Sequence, residues 1–389
     1  MRKIGIIGAG AMGTGIAQVA SLAGTQVVVC EIFSDTLAER SASLLQAGLE
    51  KMVSRNKLDR TEAGKTLSRV TYADRLEALE GCQLVIEAVV EDLETKKSVF
   101  EQLEQLVSPD CLLATNTSSL SVTAIAASCR HPHRTLGIHF FNPAPVMQLV
   151  EIIPALQTAE ESVITALDTI RAWGKTAIRA KDTPGFLVNR IARHYYGEAL
   201  RIYDEGLAEP ATVDWAMTTF GKFRMGPFSL MDLIGNDVNH TVSETMFRAF
   251  YHDPRYKPSL AQRQRREAGW LGRKTGRGFY DYTAGAPQPE PSTDTAGGER
   301  IFRRILAMLI NEAAEACYLR IATREEIDLA VTLGVNYPKG LLRWADETGI
   351  ATCVKWMDEL YNHYLEDRYR CSPLLRKMAR EGSRFFEQP

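Results

Sequence analysis

Apolar residues follow two rhythms along this chain. In the first half they gather in short unbroken runs: Ile4 to Ile7 inside KIGIIGAGAMG, then TQVVVCE, CQLVIEAV, CLLATN and RTLGIHF. Runs of this kind suit strands buried on both faces of a sheet. Between them lie stretches such as EDLETKKSVFEQLEQLV, whose apolar residues recur at helical spacing. The alternation predicts an α/β architecture with a doubly wound parallel sheet over 1–183. The charge-rich segment SASLLQAGLEKMVSRNKLDRTEAGKTL is longer than a simple crossover needs and predicts a helical hairpin inserted into that region.

After DTPGFLVNR the pattern turns to long helical periodicity with few strand signals, and it repeats. Glu198, Ala199, Asp214, Ala216, Gly226, Asp232 and Gly235 recur as Glu312, Ala313, Asp328, Ala330, Gly340, Asp346 and Gly349, each 114 residues on without a gap. Two all-α domains are expected, 184–282 and a degenerate copy at 299–389, separated by a Pro-, Gly- and Thr-rich linker at 283–298. Asn189 maps onto Arg303, so the second copy lacks that asparagine.

A chain of 389 residues with 45% hydrophobic and 24% charged residues is long enough for two or three packed cores. Its net charge of -2 supplies no broad basic surface for nucleic acid or anionic lipid. No apolar run approaches the length a bilayer requires, so no membrane partner is expected. Seven scattered cysteines without a C-x-x-C pair point to a reducing cytoplasm rather than to a disulfide framework or a zinc site. No HExxH, no Cys/His ligand cluster and no G-x-S-x-G elbow appears, and HPH at 131–133 has no third ligand nearby; no metal is expected.

Candidate chemistry begins at the first turn. Gly8, Gly10 and Gly13 satisfy G-x-G-x-x-G between an apolar strand and a small-residue helix, with Ala11 and Met12 inside the motif. In such a loop the first glycine permits the turn, the second lets backbone approach a pyrophosphate and the third brings helix against strand. Glu31 closes the next apolar run, at the usual distance for an acid that bonds a ribose 2′-OH, and would repel a 2′-phosphate. NAD is therefore the expected cofactor, in preference to NADP.

Ser118 or Ser119, His139 and Asn142 follow apolar runs, at the strand ends where ligands of such sheets bind. His139 alone is an ordinary buried histidine. With Glu151 able to accept from one ring nitrogen, the other can take a proton. A hydroxyl donor and the amides of Asn142 and Asn189 would complete a site for an alcohol or a carbonyl. The basic arm Lys51, Arg55 and Lys57 on the hairpin reads either as a solvated helix pair or as a grip on a phosphorylated handle.

The motifs IGIIGAGAMGTGIAQVA, LVIEAVVEDLETKKSVF, ATNTSSLSVT, GIHFFNPAPVMQLVEII, DTPGFLVNRI and AGWLGRKTGRGFYDY span essentially residues 1 to 282. On these the chain resembles the 3-hydroxyacyl-CoA dehydrogenase family, especially its bacterial 3-hydroxybutyryl-CoA branch. The resemblance implies a Rossmann-type NAD domain followed by helical domains. It also implies NAD-dependent interconversion of (3S)-3-hydroxyacyl-CoA and 3-oxoacyl-CoA in fatty-acid or related acyl-CoA metabolism. By that resemblance His139 and Glu151 are the proton-transfer pair, and Ser118 and Asn189 hold the substrate oxygen. Glu91 and Lys96 border the nicotinamide, Asn116 and Asn142 join the cofactor set, and Arg55 and Lys57 meet the CoA phosphates. Relatives commonly carry a lysine where Ser54 stands, so the phosphate contact would fall to Arg55 and Lys57. Single-copy relatives dimerise through the helical domain; a tandem copy implies a monomer or weak homodimer. Two other readings remain open: a sugar-acid dehydrogenase of the L-gulonate type, and a non-catalytic crystallin-like protein on the same scaffold.

Overall fold

KIGII forms β1 (Lys3–Ile7), buried on both faces. It lies inside a sheet with β2 (Gln26–Cys30), β3 (Val70–Ala73), β4 (Leu84–Glu87), β5 (Leu112–Thr115), β6 (Thr135–Phe140), β7 (Leu149–Pro154) and β8 (Thr176–Arg179). The strand order is β3-β2-β1-β4-β5-β6-β7-β8. The computed structural model describes residues 1–387, which divide into one unit of Met1–Thr183 and a second from Pro184 onward.

In the first unit the helices are α1 (Ala11–Leu22), α2 (Asp35–Ser54), α3 (Arg60–Ser68), α4 (Leu93–Leu106), α5 (Val122–Ala126) and α6 (Glu160–Ala172). Successive strand residues feed two separate cores. Ile4, Ile6, Val27, Val29, Leu84 and Ile86 pack with Ile16 and Ala17 of α1 and Ile170 of α6. Ile7, Val28, Val85 and Leu113 pack instead with Val99, Phe100 and Leu103 of α4. Alternate side chains of a strand point to opposite faces, so an unbroken apolar run is what a doubly covered sheet demands. The expected hairpin is α2 with α3, closed over Leu45, Leu49 and Ala63.

One expectation is modified. β1 to β6 are mutually parallel, but β7 pairs antiparallel with β6, and β8 runs parallel to β7. The connection from Phe140 to Leu149 is too short for the crossover that a parallel neighbour needs, which takes roughly a dozen residues or more. The chain therefore turns back on itself.

The second unit holds α7 (Val188–Asp204), α8 (Pro210–Thr219), α9 (Pro227–Ile234), α10 (Asn236–Ala249) and α11 (Leu260–Glu267). The same succession follows as α12 (Thr295–Tyr318), α13 (Arg324–Gly334), α14 (Leu341–Thr348), α15 (Ile350–Tyr364) and α16 (Pro373–Glu381). The helix of the second copy starts inside the expected 283–298 linker, because the Asp294 side chain accepts the N–H groups of Ala296 and Gly297 and caps α12 there. The two copies lie together in this one unit.

The recurring residues have matching tasks. Asp214 accepts the N–H groups of Phe228 and Ser229 at the start of α9; Asp328 accepts those of Leu342 and Arg343 at the start of α14. A Cβ on Gly226 would meet Asp214 at 2.4 Å and one on Gly340 would meet Asp328 at 2.1 Å. Gly235 and Gly349, at φ 107° and 90°, break the chain between the paired helices in a region that L side chains rarely adopt.

Between the copies runs a reciprocal exchange of charge. Glu312 accepts from Arg190 Nε at 2.5 Å and Tyr256 Oη at 2.8 Å, with His194 Nε2 at 3.2 Å and Arg255 at 3.7 Å. Glu198 accepts from Arg304 Nε at 2.6 Å, Arg368 Nε at 3.1 Å and Tyr369 Oη at 2.7 Å. Both glutamates are fully buried. Burial pushes each carboxyl up, but the arginines outweigh it: Arg368 and Arg304 bring Glu198 down to about 2, and Arg190 leads the groups that hold Glu312 lower still.

Candidate active site

The nucleotide loop is shaped by contacts on two of its three glycines and by space at the third. Gly8 has φ 98°, and a Cβ there would lie 2.6 Å from Ala88 O. At Gly13 a Cβ would strike Gly8 O at 1.9 Å, so helix and strand approach as closely as the motif predicts. Around Gly10 nothing lies within 4 Å of a Cβ position. Gly10 is the N-cap of α1 and supplies no side-chain cap, leaving the first-turn N–H groups, at Ala11 and Met12, suited to an anion. Glu31 is buried at the end of β2, its two oxygens accepting from Ala9 N at 2.8 Å and Phe33 N at 2.9 Å. These residues fit a dinucleotide: open backbone at the second glycine, a helix N-terminus and a fixed carboxylate beyond the next strand.

At the ends of β4 and β5 a polar chain runs through the site. Lys96 on α4 is only 1% exposed. Its ammonium donates to Glu87 at 2.6 Å and stands 3.4 Å from Glu91. Glu91 in turn accepts from Thr117 Oγ1 at 2.6 Å, Ser118 N at 3.1 Å and Ser119 Oγ at 3.0 Å. Partial burial pushes the Glu91 carboxyl up, but Lys96 and these hydrogen bonds bring it below the ordinary carboxylate range. Of the two serines open to choice, Ser119 therefore has its hydroxyl bound to Glu91, whereas the Ser118 side chain is not used in this network. Asn116 accepts from Phe140 N at 2.9 Å, tying the end of β5 to the residue after His139.

His139 on β6 lies directly opposite Glu151 on β7 in the antiparallel register. Its Nδ1 is 2.7 Å from Glu151 Oε2, and both residues are buried, at 5% and 0% exposure. Cross-strand partners bring side chains together by backbone pairing alone. The turn that makes this possible, carrying exposed Asn142, is held by Lys175, whose ammonium donates to Ala144 O and Met147 O, both at 2.7 Å.

Residues 3–183 match the family model described as 3-hydroxyacyl-CoA dehydrogenase, NAD binding domain; the companion model, 3-hydroxyacyl-CoA dehydrogenase, C-terminal domain, matches 185–282 and again 301–384. The chain belongs to the 3-hydroxyacyl-CoA dehydrogenase family. It is 36% identical to the 3-hydroxyadipyl-CoA dehydrogenase of Escherichia coli K12, over 97% of this chain and 98% of that protein. It is 41% identical to a probable 3-hydroxybutyryl-CoA dehydrogenase of Deinococcus radiodurans, over 72% of this chain and all of that one. A crystal structure of 3-hydroxybutyryl-CoA dehydrogenase from E. coli K12 superposes with a TM-score of 0.92 at 35% identity, covering 98% of both chains.

Within this dehydrogenase the expected residues are distributed as follows. Gly8, Gly10, Gly13, Glu31, Glu91, Asn116, Ser118, His139 and Glu151 all lie in the first unit at or beside the ends of β1, β2, β4, β5, β6 and β7. Arg55 ends α2 and Lys57 follows it, both exposed at the tip of the helical hairpin. Asn189 belongs to the second unit, in the first turn of α7. Three residues went unnoticed in the sequence. Glu87 receives Lys96, Thr115 Oγ1 and Val89 N. Thr117 links Glu91 to the loop that bears Ser118. Asp182 accepts from Ser121 Oγ, Val122 N and Thr123 N, anchoring the start of α5. A carboxylate closing the apolar run LVIE was the available signal for Glu87, since a buried acid needs a cation. Among the described residues no cluster of His, Cys, Asp and Glu is arranged to hold a metal, and no helix is long and apolar enough to cross a membrane.

Proposed function

We propose that this NAD-dependent dehydrogenase interconverts (3S)-3-hydroxyacyl-CoA and 3-oxoacyl-CoA with His139 as the acid–base and Glu151 as its anchor. The observation that carries the reading is the buried 2.7 Å contact between His139 Nδ1 and Glu151 Oε2 in the unit that carries the dinucleotide loop. Glu151 accepts a hydrogen bond from Nδ1–H, Nε2 takes the substrate hydroxyl proton, and the carboxylate charge stabilises the imidazolium that results. The hydroxyl of Ser118 holds the reacting oxygen, on a loop that Glu91 keeps in place; for Asn189 the family resemblance alone supports a substrate contact. NAD, when bound, supplies the hydride acceptor for C3. Gly8, Gly10, Ala11, Met12 and Gly13 cradle its pyrophosphate, and Glu31 receives the ribose diol. Glu91, Lys96, Asn116 and Asn142 shape the nicotinamide end, Lys96 by fixing Glu91. Arg55 and Lys57 bind the CoA phosphates.

The names of the relatives point to short acyl chains: butyryl in the single-copy relative, adipyl in the one that matches the full length. Oxidation of NADH with acetoacetyl-CoA, and with 3-oxoadipyl-CoA, tests the reading directly. Turnover with a CoA thioester and none with free 3-oxo acids is expected; activity confined to the free acids would support the sugar-acid alternative, and NADH binding without turnover the crystallin-like one. The reaction requires neither membrane nor nucleic acid, and seven free cysteines suit a reducing cytoplasm. The reciprocal Arg–Glu pairing of the two helical copies supports a monomer or weak homodimer.

A further inference from the structure

Between the two helical copies lies a cavity of about 780 Å³ on which the proposed reaction makes no claim. Its wall is the first turns of α12, one side of α15, and the end of α7 with the loop that follows. A volume of that size lies in the range of small-ligand sites. Two features give it a chemistry. Arg300 and Arg303 project along this wall, both exposed, and neither forms an ion pair among the described residues. Arg303 lies over the Trp356 ring, 5.6 Å from its centroid, and Leu207, Ile301 and Leu360 add apolar surface beside it.

Glu209, Asp294 and Glu359 share the wall, but among the described residues none forms an ion pair with Arg300 or Arg303: Asp294 accepts the N–H groups of Ala296 and Gly297, and Glu359 stands 3.8 Å from Lys355. Arg304, further along α12, is already held by Glu198 and Glu205. Position by position, Arg303 and Arg300 stand where the first copy has Asn189 and Phe186, 114 residues earlier. The second copy thus carries two cations where the first has an amide and a phenyl ring.

We propose that this cavity is a second ligand site, distinct from the one that performs the oxidation, and that it takes a small organic anion: a carboxylate or phosphate head on an apolar body. The planar guanidinium fork matches either head, and its stacking on Trp356 orients it. Leu207, Ile301 and Leu360 receive the body.

Isothermal titration of the full-length protein with octanoate, octyl phosphate and, as a neutral body of the same length, 1-octanol tests this. At least one anion is expected to bind, with octanol at least tenfold weaker; the tighter of the two anions identifies the head group. The double substitution Arg300→Gln/Arg303→Gln is expected to weaken anion binding tenfold or more. Leu207→Trp, at an exposed position, is expected to fill the cavity and abolish binding without removing a charge. Acetoacetyl-CoA turnover in both variants is expected to match the parent, separating this site from the catalytic one. The proposal fails if neither anion binds, if octanol binds as tightly as the anions, or if Leu207→Trp binds them like the parent, since the ligand would then sit elsewhere.

Discussion

His139 turns its Nδ1 to Glu151, and the order of its two nitrogens follows. With Nδ1 committed to Glu151, replacing the ring by an amide in His139→Gln removes the proton acceptor but none of the cofactor cradle. Turnover is expected to fall about 10²- to 10⁴-fold while NADH titration stays close to the parent. Glu151→Gln keeps a hydrogen-bond acceptor but not the charge, so the pH–rate profile should shift as the imidazolium loses its support; an unchanged rate and profile would argue against the pair. Glu31 makes a separate prediction. Its carboxylate repels a 2′-phosphate, so NADH should bind much more tightly than NADPH, and Glu31→Ser should narrow that ratio in a fluorescence titration. Individual residues of the nucleotide loop and the His–Glu pair were readable because their spacing carries the chemistry. Lys96 was readable only by resemblance, as a neighbour of the nicotinamide: a string does not say which acid receives its ammonium, and only the fold shows that Glu87, nine residues earlier, does.

Strands and loops reveal why some side chains had to wait for the fold. The antiparallel return of β7 is what sets Glu151 opposite His139, and the prolines of FFNPAPVM break the apolar run without giving the direction of the strand that follows. Parallel and antiparallel neighbours share the same apolar composition when both faces are covered, so the pattern alone does not separate them. The loop after β5 depends likewise on a buried chain of charge from Glu87 through Lys96 to Glu91. Lys96→Met would leave Glu87, fully buried, without its cation, which costs about 3–5 kcal/mol when one member of a buried pair is removed. The expected outcome is a clear fall in Tm together with a raised KM for acetoacetyl-CoA, because the loop carrying Ser118 loses its anchor. A variant with the parental Tm would show that the pair contributes nothing to the fold.

For the chain as a whole, the repeat was readable from seven matches in one register, and the structure gives four of those pairs matching tasks. What the register did not disclose is that Arg190 and Arg304 reach across to the other copy's glutamate. A protein ending at residue 293 would strand Arg190, His194 and Arg255 without Glu312, and Glu198 without Arg304 and Arg368. Light scattering is expected to show dimers or aggregates for that shortened chain and a monomer or weak dimer for the full one; a shortened chain that stays monomeric and fully active would separate the second copy from this role. Acid should act on the same pairs. Glu198 is held at about 2 in the fold against an ordinary value of 4.5, so its contribution is complete above pH 4.5 and disappears as pH falls toward 2. Glu312, lowered in the same direction, adds to that slope. Thermal melts across this window should show it, and Glu198→Gln should flatten it. Carrying both halves of a two-fold arrangement in one polypeptide also changes what inheritance can do to it. In a pair of identical subunits every substitution appears twice, facing itself across the axis; here each half drifts alone. His194 already stands where its twin position holds Met308, giving Glu312 four partners and Glu198 three. Symmetry in this protein is a starting point from which either side is free to specialise.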